Sequence, residues 1–432
     1  MGCLARAILN MARKSVFSII GLVRKFLFLI FLVSFSLTQM YGFFVIGLVV
    51  IILALLPLFG ANIRVSTSDI SPYFFGGFLI IGIYGLCLGS YLGVDYSVIF
   101  ESSKVFIFYP IVGFLVALLV KHFCSLKFIR NVVFTATGML VIINCMAVIE
   151  YYFGAGFLPS AFIESGMLTF SFYDGRFILN ALNIASIPLL FAFLLFYTFF
   201  DKRTYSDVNR GKKNHLISYA LLILLVLVII GSGRRGIWMT SVLSIFFIYM
   251  MCGRSMSFGK AVLQVFAMSG LMLGILFYFD VFSFYGSEFQ SQSERSIQSE
   301  ALIEAFYDSP LGHGIGSSFA VVRSEKGWIY ELTWHKLLAD VGVLLPLMIF
   351  FFFGLLIKIL RANKSLVSRM DYDLCLLAII SAGAIVLASA TNPYILNLDG
   401  LIGLGFVFGV FDGVRSRSII VSSVSRSQEA LI

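Results

Sequence analysis

Apolar runs, each long enough to approach the thickness of a bilayer, recur along this chain with short polar stretches between them. A run of about 17–25 apolar residues reads as a membrane-crossing helix. Twelve runs meet that description approximately. They are Phe26–Met40, Tyr41–Phe59, Phe74–Leu92, Val105–Val120, Val132–Ile149, Phe177–Phe200, Leu216–Ile230, Gly236–Met251, Ala261–Phe279, Leu337–Ile357, Leu374–Ala390 and Leu396–Phe411. The first two are nearly fused, and the last is short with Asp399 near one end. The pattern predicts an all-α polytopic membrane protein of about twelve transmembrane helices, forming a single membrane domain over residues 1–432.

The polar stretches are unequal in charge. With the N-terminus in the cytoplasm and strict alternation, the internal segments hold 23 of the 31 Lys and Arg residues. The external ones hold Lys104, Arg176, Arg234, Arg235, Arg295, Arg323, Lys326 and Lys336. Lys and Arg concentrate in cytoplasmic loops, so both termini are expected inside. The Ser- and Arg-rich stretch 414–432 reads as an unstructured cytoplasmic tail. Two external segments are long, Glu150–Arg176 and Asp280–Trp334, and the second is the longest connection in the chain. It is the expected seat of function.

Composition sharpens the class. Hydrophobic residues make up 60% and charged residues 12%, with a mean hydropathy of +0.99. Soluble domains carry roughly 25% charged residues, so a soluble enzyme is excluded and the lipid bilayer is the first partner. The net charge of +9 is accounted for by the internal loops, and nothing points to nucleic acid. The six cysteines are scattered, without a CxxC or a His/Cys cluster. They indicate neither a disulfide framework nor a metal site.

Four features carry candidate chemistry. The first is Gly231-Ser232-Gly233-Arg234-Arg235-Gly236, a tight external turn. Arginines at a membrane boundary either snorkel to water or meet an anion, and two guanidinium forks suit a phosphate. The second is Ser291-Gln292-Ser293-Glu294-Arg295, where Ser291 and Glu294 match a capping box. It would open a short amphipathic helix ending at Asp308-Ser309-Pro310. Arg295 in the first turn opposes the helix dipole unless an anion sits there; otherwise it is a solvated surface residue.

The third feature is Pro310-Leu311-Gly312-His313-Gly314-Ile315-Gly316. No Lys-Ser or Lys-Thr follows, so it is no Walker loop. Its alternating glycines predict positive φ or a close backbone approach. The fourth is Glu331-Leu332-Thr333-Trp334-His335, leading to Asp340 and Gly342. Helical spacing would put Glu331 and His335 on one face, where a carboxylate and an imidazole suit acid/base work. The alternative is an interfacial helix start with Trp334 as its belt aromatic. His313 and Arg323 are further candidates in the external loop.

Taken in order, these elements resemble the superfamily of O-antigen ligases and Wzy-type polysaccharide polymerases. Gly233-Arg234-Arg235-Gly236 is similar to the family's Ser-Arg-Gly turn. Arg295 resembles the Arg that opens the periplasmic helix. Pro310–Gly316 matches the Pro with alternating glycines, and Leu337–Gly342 the start of the following span. The resemblance covers about residues 231–357. It implies a metal-independent, cofactor-free glycosyltransferase of the bacterial inner membrane. Its donor would be an undecaprenyl-diphosphate-linked oligosaccharide, used on the periplasmic face, with a flippase and a chain-length regulator of the same pathway as partners. Arg234, Arg235 and Arg295 would grip the diphosphate, and Glu331 or His335 would take the acceptor's proton. The family's ligases carry a His where Glu331 stands, and this departure favours polymerase over ligase. A lipid-oligosaccharide flippase is the rival from another class. Such transporters are built from internal repeats, and the single long external loop breaks any repeat.

Overall fold

The computed structural model describes residues 21–35, 47, 49, 65–154, 170–173, 176–179, 186–199, 208–231, 235–252, 288–319, 332–363, 369–389 and 394–429. Apart from one short hairpin, these residues form helices and their connections. Helix α1 covers 21–35. It is followed by α2 (Ser71–Tyr91), α3 (Tyr96–Ser103), a π-helical turn (Lys104–Phe108), α4 (Tyr109–Phe123) and α5 (Leu126–Phe153). Strands β1 (Phe170–Tyr173) and β2 (Arg176–Leu179) pair antiparallel, with Tyr173 opposite Arg176. Then come α6 (Ile187–Phe199), α7 (Val208–Gly231), α8 (Arg235–Cys252), α9 (Glu288–Asp308), α10 (Thr333–Val341), α11 (Leu344–Asn363), α12 (Arg369–Ala388) and α13 (Leu398–Glu429).

The chain is a helical membrane protein. Among the described residues, five helical stretches are long and apolar enough to cross a bilayer: Ser71–Tyr91, Tyr96–Phe123, Leu126–Ala147, Leu344–Arg361 and Asp371–Ala388. Three shorter apolar helices, Ile187–Phe199, Leu216–Ile230 and Ile237–Tyr249, match further predicted runs. The runs Tyr41–Phe59 and Ala261–Phe279 lie almost wholly outside the described residues.

Three expectations are corrected. The run Phe177–Phe200 is not one helix, because its first residues belong to β2 and the helix begins at Ile187. The run Leu337–Ile357 is broken at Gly342, whose φ of 58° and ψ of −142° are all but reserved for glycine. Its apolar span therefore starts at Leu344. The tail from residue 414 is not irregular, since α13 continues to Glu429. No Gly or Pro interrupts it after Gly413.

Packing is tightest along α4 and α13. Gly405, Gly409 and Gly413 recur every fourth residue and face Gly113, Ala117 and Lys121. A Cβ on Gly405 would stand 2.3 Å from the Gly113 carbonyl oxygen, and one on Gly409 2.6 Å from that of Ala117. Small residues at this spacing let helix backbones meet closely, the usual basis of helix association in lipid. On another side of α13, Phe406 is edge-on to Phe31 at 4.8 Å and to Phe35 at 5.4 Å. Helix α6 is buried almost all round, as expected of a helix apolar on every face.

One end of this bundle is an ionic clamp. Asp412 accepts hydrogen bonds from the Ile70 N–H (2.8 Å), the Ser71 N–H (3.2 Å) and the Ser71 hydroxyl (2.6 Å). It thereby caps α2 from the far end of the sequence. Lys121 pairs with Asp69 at 2.5 Å. Arg415 donates to the Ser68 carbonyl, Arg417 to that of Cys124 and Arg24 to that of Phe123. All these residues come from segments whose charge assigned them to a single side. They gather at one end of the bundle.

Candidate functional site

The opposite end of α2, about 27 Å from Ser71 at 1.5 Å per residue, is held by backbone rather than by charge. The Pro310–Gly316 loop threads between α2 and the break at Gly342. Its N–H groups donate to other elements: His313 to Ala339 (2.9 Å), Gly314 to Asp340 (2.8 Å) and Ile315 to Gly85 (2.8 Å). In return the Val343 N–H donates to the Pro310 carbonyl at 2.9 Å. Gly312, Gly314 and Gly316 have φ of 99°, 83° and 97°. A Cβ on Gly314 would sit 2.2 Å from the Gly89 backbone. The alternating glycines thus meet both expectations, positive φ and close approach. Gly342 breaks its helix for the same reason: a Cβ there would fall 2.0 Å from the Pro310 carbonyl oxygen.

The loop also fastens α9 to α10. The His313 ring hydrogen-bonds the Ala305 carbonyl through Nε2 at 2.8 Å, while its backbone N–H holds Ala339. Because the partner is a carbonyl, Nε2 carries the proton. The C-terminal ends of both helices are pinned to one loop, so the helices run side by side in the same direction. Leu302, Ala305 and Ala339 form the apolar contact between them, with Phe319 and Leu332 packed against it.

Beside this contact lies a buried ion pair, Lys336 with Asp340, on successive turns of α10. The Lys336 ammonium also stands 4.9 Å from the centre of the Phe319 ring, which meets the His313 ring edge-on at 5.5 Å. Burial pushes the Asp340 carboxyl up to about 6 despite the opposing pull of Lys336. The same burial pushes the Lys336 ammonium down. Removing two charges from water costs several kcal/mol per ion, and attraction at best repays it. The Trp334 indole N–H donates to the Val386 carbonyl of α12 at 3.2 Å.

Three polar atoms in this region are buried without a hydrogen-bond partner: Gln298 Oε1 on α9, and Thr333 Oγ1 and His335 Nδ1 on α10. Each unpaired buried group costs about 1–3 kcal/mol.

The predicted site residues fall as follows. Arg295 is the eighth residue of α9, which is already formed at Glu288. Ser291 is therefore inside the helix rather than its cap, and Arg295 is two turns from the N-terminus. Neither the dipole penalty nor an anion at the helix end bears on it. Arg235 is the first residue of α8, a helix that packs along α12. His335 lies in the first turn of α10. That helix starts at Thr333 with Leu332 non-helical at its N-cap, so it does not extend back to the position of Glu331. Glu331, Arg234 and Arg323 lie outside the described residues. The structure joins three of the four sequence features into one block: the helix of Arg295, the glycine loop and the helix of His335. Sequence reasoning missed Lys336 and Gln298. Lys336 stood only as an external charge, although its spacing of four from Asp340 marks an ion pair. Gln298 lies three residues after Arg295, in step with Leu302 and Ala305. Among the described residues no group of His, Cys, Asp and Glu could hold a metal ion.

No protein-family model matches the chain, and no curated protein is significantly similar to it.

Proposed function

We propose that this protein is an inner-membrane glycosyltransferase that polymerises undecaprenyl-diphosphate-linked polysaccharide repeat units on the periplasmic face. About twelve spans would place both termini in the cytoplasm and the loop 280–334 outside. The observation that carries the reading is the single block formed by the helix of Arg295, the Pro310–Gly316 loop and the helix of His335. The three features are neighbours in sequence, and their docking on Gly85 and Gly89 of α2 gives the block a fixed place in the bundle. In the reaction Arg235, with Arg234 beside it, and Arg295 hold the diphosphate as negative charge grows on the leaving group. Glu331 takes the proton of the attacking sugar hydroxyl. His335 is the weaker candidate for base, because no group hydrogen-bonds its Nδ1, whereas a catalytic histidine is ordinarily oriented by a third group.

The lipid-linked glycan profile of cells with and without the gene tests the reaction class. Loss of a polymerase leaves single repeat units attached to lipid A core. Loss of a ligase leaves no glycan attached there, and loss of a flippase accumulates units facing the cytoplasm. Either of the last two patterns overturns the proposal. For the base, Glu331→Gln should be inactive and His335→Gln should retain measurable polymerisation. The opposite pair of results, at equal protein levels, would transfer the role to His335.

A further inference from the structure

The parallel run of α9 beside α10 has a definite register. His313 touches the carbonyls of Ala305 and Ala339, so these residues stand at one level. Seven residues back along each helix, two turns at 3.6 residues per turn, Gln298 comes level with Leu332 and Thr333. Gln298 and Thr333 are each 1% exposed. Gln298 shares a face with Leu302 and Ala305, which pack toward α10. One turn further from the pinned end on that face stands Arg295. A seam therefore leads from Arg295 to an amide oxygen and a hydroxyl that have no hydrogen-bond partner. Both residues are buried, Thr333 where α10 begins and Gln298 one turn before the Leu302 contact. Such atoms are normally paired by protein or water. An amide and a hydroxyl at one level, too far apart to pair with each other, can together address two neighbouring sugar hydroxyls, since each group both donates and accepts.

We infer that Gln298 and Thr333 form a sugar-hydroxyl subsite between α9 and α10, which positions the first sugar of the lipid-linked donor next to the diphosphate held by Arg295. The inference rests on the proposed glycosyl transfer. Neither residue touches the reacting atoms; both set the register and selectivity of the sugar. Gln298→Leu and Thr333→Val remove the hydrogen-bonding atoms at nearly constant volume, and Thr333→Ser keeps the hydroxyl. Full-length protein in liposomes is assayed with the purified undecaprenyl-diphosphate repeat unit, and melting is followed without substrate. Gln298→Leu and Thr333→Val should each raise KM about tenfold with kcat nearly unchanged, the size expected when a polar site loses one partner. Thr333→Ser should stay near wild type. The substrate-free melting temperature should hold or rise, because a buried group with no partner has been removed. An unchanged KM in an active wild-type background overturns the subsite and leaves the function reading standing. A clear fall in melting temperature with KM unchanged assigns the two side chains to helix packing instead. A wild-type protein that makes no polymer removes both proposals.

Discussion

The two ends of α2 are fastened by different physics. At Ser71 the fastening is by side-chain hydrogen bonds that cross 341 residues of sequence to Asp412. The carboxylate there takes two backbone N–H groups and a hydroxyl. At Gly85 and Gly89 the fastening is backbone on backbone, through a loop that only glycines allow. The first end uses its polar atoms on one another. The second leaves Gln298, Thr333 and His335 with atoms unpaired. A clamp of one ion pair and several charge-assisted hydrogen bonds holds a bundle together. An end with rigid backbone and unpaired polar side chains is where the proposed chemistry is placed, since natural proteins depart from polar satisfaction chiefly at functional sites.

The largest effect expected from breaking this contrast is at Gly314. Alanine there meets the Gly89 backbone at 2.2 Å and must hold a φ of 83°. Left-handed strain costs roughly 1–3 kcal/mol and overpacking about as much again. Gly314→Ala should abolish folded protein in detergent or lower its melting temperature by the widest margin of any change considered. A wild-type melting curve would mean that the loop is not docked on α2.

The ion pair ranks next. Removing one partner, by Lys336→Met or Asp340→Leu, leaves an uncompensated buried group and should cost about 3–5 kcal/mol. The double replacement should lie much closer to wild type than the single changes add up to. Strict additivity in the double-mutant cycle would show that the two side chains do not interact.

A pH dependence follows from the same pair. A carboxyl whose value in the fold is raised above its unfolded value of 3.8 weakens the fold as pH rises between the two. That loss is complete above the folded value of about 6. In Lys336→Met the attraction that limits the rise is gone, so the folded value moves higher and the loss continues past pH 6. Melting of that variant should fall between pH 6 and pH 8 by more than that of wild type, measured by thermal denaturation. Parallel curves over that range would contradict the assignment.

The smallest change is expected at the clamp. Asp412→Asn keeps one acceptor oxygen and gives up the other. It should cost about 1–3 kcal/mol and leave glycan synthesis in place once protein levels are matched.

The sequence reveals these features unequally. Span positions are legible because lipid demands uninterrupted apolar runs, and α2, α5 and α12 follow them closely. The break at Gly342 is not legible, because the run Leu337–Ile357 stays apolar across it and only the approach of Pro310 forces the turn. The start of α6 is hidden in the same way, since β2 ends on Phe177-Ile178-Leu179 and merges with the apolar run that follows. The positive φ values of the glycine loop are readable from its alternation. What the loop touches depends on Gly85 and Gly89, more than 200 residues earlier. The four-residue glycine ladder Gly405-Gly409-Gly413 lies in plain view as a helix-contact motif, and its partner is set by tertiary packing.

The proposed function puts chemistry at the Arg295 end of the bundle and not at the Asp412 end. Surface glycan ladders of strains carrying Arg295→Ala or Asp412→Asn at equal protein levels distinguish the two ends. Removing one pre-organised charge donor typically lowers rate by about 10²–10³. Arg295→Ala should therefore collapse the ladder to single repeat units on lipid A core, while Asp412→Asn keeps the full ladder. A full ladder from Arg295→Ala, or a collapse confined to Asp412→Asn, would contradict it.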